Sequence, residues 1–140
     1  MNSITSFVHC ALPVLLLTIN FGGLSHALAT DIYVIAHADA KLTADVIRDI
    51  YIGEKQFNGA VKIVPIDNAA AQDDFLGKVL KLDQTRYANL WVKKSFRDAL
   101  NPPTVMNSDR EIIGQVRKTP GAVGYITSSP PADITVIQKY

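Results

Sequence analysis

Beyond Asp31 the hydrophobic period changes several times, and each change marks an element. Ile32-Tyr33-Val34-Ile35-Ala36 is apolar and largely β-branched with no polar alternation, which predicts a strand covered on both faces and central in its sheet. Val46, Ile47, Ile50 and Tyr51 then fall at helical spacing. Thr43 is the expected N-cap, Asp45 sits in the first turn where the helix dipole favours it, and Gly53 ends the helix. Phe57-Asn58-Gly59 reads as a turn, and residues 61–66 as a second strand that Pro65 places at an edge or terminates. Asp67-Asn68 offers a cap for a helix over residues 70–82, with Phe75, Leu76, Val79 and Leu80 on one face. A third helix runs from Asp83 to Leu100 with Tyr87, Leu90 and Trp91 inward, until Asn101-Pro102-Pro103 stops it.

Ser108-Asp109-Arg110-Glu111 has the spacing of a capping box, and Ile112, Ile113 and Val116 give the following helix its buried stripe. Thr119-Pro120-Gly121-Ala122-Val123-Gly124-Tyr125-Ile126 then takes the chain from helix end through a tight turn into a buried strand. Its two glycines mark places where backbone passes close to backbone or leaves the usual φ range. Ser128-Ser129-Pro130-Pro131 is a loop, and residues 134–137 are a last strand. About four strands and four helices predict an α/β domain, a single sheet with helices on both faces.

Residues 1–29 have a different composition. Every one of the 14 Lys and Arg and the 13 Asp and Glu lies at or beyond Asp31, whereas residues 11–19 form a near-apolar run. That run is shorter than the roughly 20 residues of a bilayer span, and Ala27-Leu28-Ala29 after it has the small-x-small form of a cleavage site. The expectation is a signal peptide cut after Ala29, or after Ala27 as second choice, leaving residues 30–140 as one domain in a periplasm. Only the terminal amine supplies positive charge before the apolar run, and a buried or anchoring helix is the alternative reading. Cys10 falls within this segment, so the exported chain carries no cysteine, compatible with a core that needs no disulfide.

A net charge of +1 with both signs interspersed argues against nucleic acid or an anionic membrane surface as partner. Catalysis finds little support: there is no Gly-x-Ser-x-Gly elbow, no phosphate-binding Gly-Lys-Thr loop and no His/Cys spacing of a metal site. The expectation is a protein that is not an enzyme and uses no cofactor or metal.

Ile50-Tyr51-Ile52-Gly53, Phe57-Asn58-Gly59, Ile63-Val64-Pro65-Ile66, Phe75, Leu90-Trp91, Pro102-Pro103 and Thr119-Pro120-Gly121-Ala122-Val123-Gly124-Tyr125 follow one another in a familiar order. The set resembles the short members of the phosphate ABC-transporter substrate-binding proteins, in the type II periplasmic binding-protein superfamily, over essentially all of residues 30–140. Full-length relatives close two α/β lobes over an oxyanion, and this chain has length for about one. The resemblance implies a periplasmic binding-protein-like domain, nominally for phosphate, working with an ABC-transporter membrane component.

The resemblance places an anion where a strand ends and a helix begins, here Asn68, Ala69, Ala70 and Gln72, and backbone N–H groups with the helix dipole make such a position attractive to anions. Relatives carry Ser, Thr or Gly and an Arg there. This chain has three alanines and Gln72, followed by Asp73 and Asp74, so an ordinary acidic helix start is the competing reading. Thr127 and Ser128 form a second candidate lip at a strand's carboxyl end, against which a plain turn sequence is the stronger competing reading. His37 is a possible accessory anion ligand. Lys93, Lys94 and Arg97 form a small basic face on the third helix. They support an alternative function, an interaction module that kept the lobe, lost the ligand, and binds another cell-envelope protein through that helix and the Pro102-Pro103 loop.

Overall fold

The computed structural model describes residues 30–140; the expected signal peptide and its cleavage site lie outside the described residues. The elements in order are β1 (Tyr33–Ala36), α1 (Ile47–Tyr51), β2 (Phe57–Asn58), β3 (Val61–Lys62), β4 (Val64–Asn68) and α2 (Gln72–Phe75). They continue with α3 (Gln84–Asp98), β5 (Thr104–Met106), α4 (Asp109–Lys118), β6 (Ala122–Ile126) and β7 (Thr135–Lys139). A five-stranded sheet has the order β5-β4-β6-β1-β7, and β2 with β3 makes a separate ribbon around the Asn58-Gly59 turn. β4 runs parallel to β5 and β6, while β1 is antiparallel to β6 and β7.

The sheet therefore has five strands where the sequence pattern showed about four. The unforeseen one, β5, is three residues long and directly follows Pro102-Pro103, too short for period-two alternation to register. β6 rather than β1 is the central strand. β4 is an interior strand despite Pro65, because the missing donor falls where nothing needs it. Val64 N–H donates to Gly121 O at 2.9 Å, so by alternation the Pro65 nitrogen faces the other side, where pairing with β5 begins only at Ile66.

Period-two alternation along β1 and β6 divides the interior into two cores. Ile32, Val34, Ala36, Val123 and Tyr125 face α1, α2 and α3, while Ile35, Ala122 and Ile126 face Ile112 and Val116 of α4. Helices on both faces are what the sequence predicted. On the first face Phe75 stacks on Tyr125 at 3.9 Å between ring centroids, and Tyr51 meets both rings edge-on. The Tyr51 hydroxyl reaches Ile66 O at 3.1 Å and Val123 O at 3.3 Å, tying α1 to the sheet.

The helices are shorter than expected at several ends. Residues 44–46 are a 3-10 turn before α1, and the Thr43 side chain makes no capping hydrogen bond to the backbone. α2 widens into a π-helical stretch, Leu76–Leu80, closed by Lys81 at φ 57°. Asp83 and Ser108 cap α3 and α4 by accepting from Arg86 N and Glu111 N, and the Glu111 carboxylate accepts from Asn107 N–H, one residue before the cap, rather than from the cap itself.

The two glycines before and within β6 hold the layers together for different reasons. Gly121 has φ +79°, and a Cβ there would lie 2.0 Å from Lys62 O. At Gly124 a Cβ would come within 2.5 Å of Ile112 Cγ2, so its absence lets α4 lie directly on the sheet. Gly114, by contrast, is a helix-interior position with open space around it. Gly121→Ala is expected to destabilise the fold by about 2–4 kcal/mol and Gly114→Ala to stabilise it by about 0.5–1 kcal/mol. Urea unfolding of both variants checks the opposite signs.

Candidate functional site

β4 ends in two polar residues that are buried on opposite faces of the sheet, Asp67 and Asn68. Alternation sends Asp67 toward α2 and α3. Its Oδ2 accepts from Tyr87 Oη at 3.0 Å and Gln72 Nε2 at 3.2 Å, and its Oδ1 from Tyr125 Oη at 3.1 Å. Burial pushes this carboxyl up to about 6, against the three hydrogen bonds that favour its charged form. Burial, and then the Asp67 charge, push the Tyr87 and Tyr125 hydroxyls well above their usual range, so both act as donors.

Asn68 points the other way, to the start of α4. Its Nδ2 donates to Asp109 Oδ1 at 2.6 Å and to Tyr125 O at 3.2 Å, and its Oδ1 accepts from Ala70 N. Asp109 Oδ2 accepts from Thr127 N at 3.0 Å, Thr127 Oγ1 at 3.2 Å and Ser128 N at 2.8 Å. Partial burial raises the Asp109 carboxyl, but hydrogen bonds from Ser128, Asn68 and Thr127 outweigh it and hold the group below its usual range. Four donors from two strand ends thus converge on one carboxylate, in the geometry that would suit an oxyanion.

Of the expected site residues, Asn68, Thr127 and Ser128 come together, and what they surround is Asp109. Ala69 and Ala70 adjoin them, yet their N–H groups are already used, Ala69 N on Met106 O and Ala70 N on Asn68 Oδ1, and Ala71 N bonds Asn68 O. Gln72 lies on the other face, bound to Asp67 and to Gln84. His37 is remote: its N–H bonds Ala122 O, at the opposite end of β6 from Thr127. The expected basic face is not a free patch, because Lys94 is buried and paired with Glu54, and Arg97 makes a bidentate pair with Asp98 at 2.8 Å for each bond. Lys93 alone of the three is exposed without such an ion pair among the described residues. Sequence reasoning missed the role of Asp109, whose place in a capping motif was its only visible signal.

A groove of about 430 Å³ opens between α3 and the Pro102-Pro103 corner, with Asp67 at its floor and Trp91, Val92, Phe96 and Val105 along its walls. Val92, Phe96 and Val105 are exposed, Phe96 to 90%. The indole Nε1 of Trp91 is buried, with the Tyr87 hydroxyl as its neighbouring acceptor but no well-formed hydrogen bond among the described residues. No group of His, Cys, Asp and Glu that could hold a metal occurs among the described residues, and no described helix is long and apolar enough to cross a membrane.

This architecture is a mixed α/β lobe, a five-stranded sheet with helices on both faces. The chain is similar to an ABC-type phosphate transport receptor from Vibrio cholerae, with a TM-score of 0.50 and 19% identity over 79% of this chain and 47% of the receptor. It thus spans about half that receptor's length, and at this identity the likeness shows the fold alone. No family model and no curated protein matches the chain.

The Asp67 cluster sets a pH dependence. In the folded state the carboxyl keeps its proton to about 6, against a reference value of 3.8, so its contribution to stability is full below the lower value and is lost as pH rises across the interval. The loss amounts to ~3 kcal/mol. Asp67→Asn should remove that falling component, read as the difference between the two proteins' urea midpoints on either side of the window. Parallel pH profiles would show that Asp67 does not titrate there.

Proposed function

We propose that this chain is a non-catalytic binding module of the cell envelope, a receptor lobe that engages another protein through α3 and the Pro102-Pro103 corner. The observation that carries the reading is the position of Asp109. The donors that could receive an anion, Thr127 N, Thr127 Oγ1, Ser128 N and Asn68 Nδ2, all serve this internal carboxylate. A phosphate entering there has to displace the negative charge of Asp109. The groove on α3, by contrast, presents apolar side chains that no other described residue covers, the mark of an interaction surface.

A second reading, phosphate or a similar small oxyanion delivered to an ABC-transporter membrane component, is favoured by the likeness to a phosphate transport receptor. One titration separates the two. Calorimetric titration with phosphate and then sulfate at low salt should give no saturable heat up to millimolar ligand. Asp109→Ser vacates the cradle and should bring phosphate binding into the measurable range. Saturable micromolar binding by the unaltered protein would instead establish the oxyanion reading and set the interaction reading aside.

A further inference from the structure

The exposed face of α3 carries a size pattern that is complementary to itself. Ala88, Val92 and Phe96 are spaced by four residues on the wall of the groove, so they lie along one face about 6 Å apart. A small and a large side chain thus stand at equal distances on either side of Val92. Antiparallel packing of two such helices about a two-fold axis at Val92 sets each large residue over the small one opposite.

We propose that the groove is filled by a second copy of this chain, with α3 packed antiparallel on its counterpart and the Phe96 of each copy seated over the Ala88 of the other, beside Trp91. The inference rests on the reading of α3 as the working surface. Three observations support a copy of the chain over an unlike partner. Among the described residues the only charged one lining the groove is Asp67, which is buried and hydrogen-bonded within its own chain; a patch that must face itself across a two-fold axis cannot present uncompensated like charges. Nearby on α3, Arg97 is already neutralised by Asp98, and Lys93, exposed and without an ion pair among the described residues, does not line the groove and can carry its ammonium outward on its flexible stem. Phe96 is both the most exposed large apolar side chain and a neighbour of the hollow that would receive it, so knob and hole occur on one surface.

The area is modest. α3 has 15 residues and is ~22 Å long, and a single helix pair flanked by Val105 and the prolines falls near the low end of specific interfaces. Micromolar self-association is the expected strength.

The chain has one tryptophan, so emission from Trp91 reports on the groove directly. Sedimentation velocity of the purified protein from micromolar to millimolar concentration should show a monomer–dimer equilibrium, with Trp91 emission moving to the blue as dimer forms. Phe96→Asp should weaken association by about thirtyfold or more, the scale of an interface hot spot. In a Cys10→Ser background, Val92→Cys should form a disulfide-linked dimer on mild oxidation, whereas Val136→Cys, exposed on β7, should not. A protein that stays monomeric throughout overturns the self-pairing. If that monomer still shifts its Trp91 emission with an apolar peptide, and Phe96→Asp abolishes the shift, the interaction surface stands and its occupant is another chain. If it shows no response, the interaction reading falls with the pairing.

Discussion

The fold depends on a constraint at β6. This strand is buried on both faces and lies between β4, which is parallel to it, and β1, which is antiparallel. Both layers of helices are referred to it, α1 to α3 through Val123 and Tyr125, and α4 through the hollow at Gly124. Two backbone positions without side chains make that possible. One relieves a contact with the Lys62 carbonyl and the other with Ile112, so the sandwich can close only where Cβ is absent.

The polar ends of β4 extend the same logic into the candidate site. A strand buried on both faces that ends in Asp67 and Asn68 must find partners for each on its own side, since unpaired polar groups in such surroundings are costly. Asp67 finds two tyrosine hydroxyls and an amide, and Asn68 finds Asp109 and the Tyr125 carbonyl. The consequence is a strand end fully consumed by internal hydrogen bonds, with negative charge on both faces. The apolar groove beside it has the opposite character, with Val92, Phe96 and Val105 exposed along its walls. Polar groups are already paired where an anion would enter, and apolar side chains are left exposed where a partner would dock.

Much of the scaffold was legible because its signals are local. The Ser108 cap, the start of a helix at Asp83, the Asn58-Gly59 turn, the stop at Pro102-Pro103 and the Gly121–Gly124 passage are short patterns whose conformational preferences hold almost independently of context. β5 was not legible, since three residues carry no period, and the interior placement of β4 was misjudged because the cost of Pro65 depends on which neighbour faces its nitrogen. The candidate site was legible only in part. Asn68, Thr127 and Ser128 were identified as lining residues, but not the carboxylate they hold. The basic face on α3 was overestimated because Glu54, which takes up Lys94, is 40 residues away.

Residue order and local pattern thus determined the alternation of strands and helices, the two-faced burial, the positions of turns and caps, and the absence of familiar catalytic motifs. Tertiary structure decided which polar groups are already spent and which apolar ones are left over. Those outcomes rest on contacts between residues far apart in the chain, such as Tyr125 with Asp67, 58 positions away, and Asn68 with Asp109, 41 positions away. Periodicity reports the face on which a side chain stands; it carries no information about which distant group stands opposite.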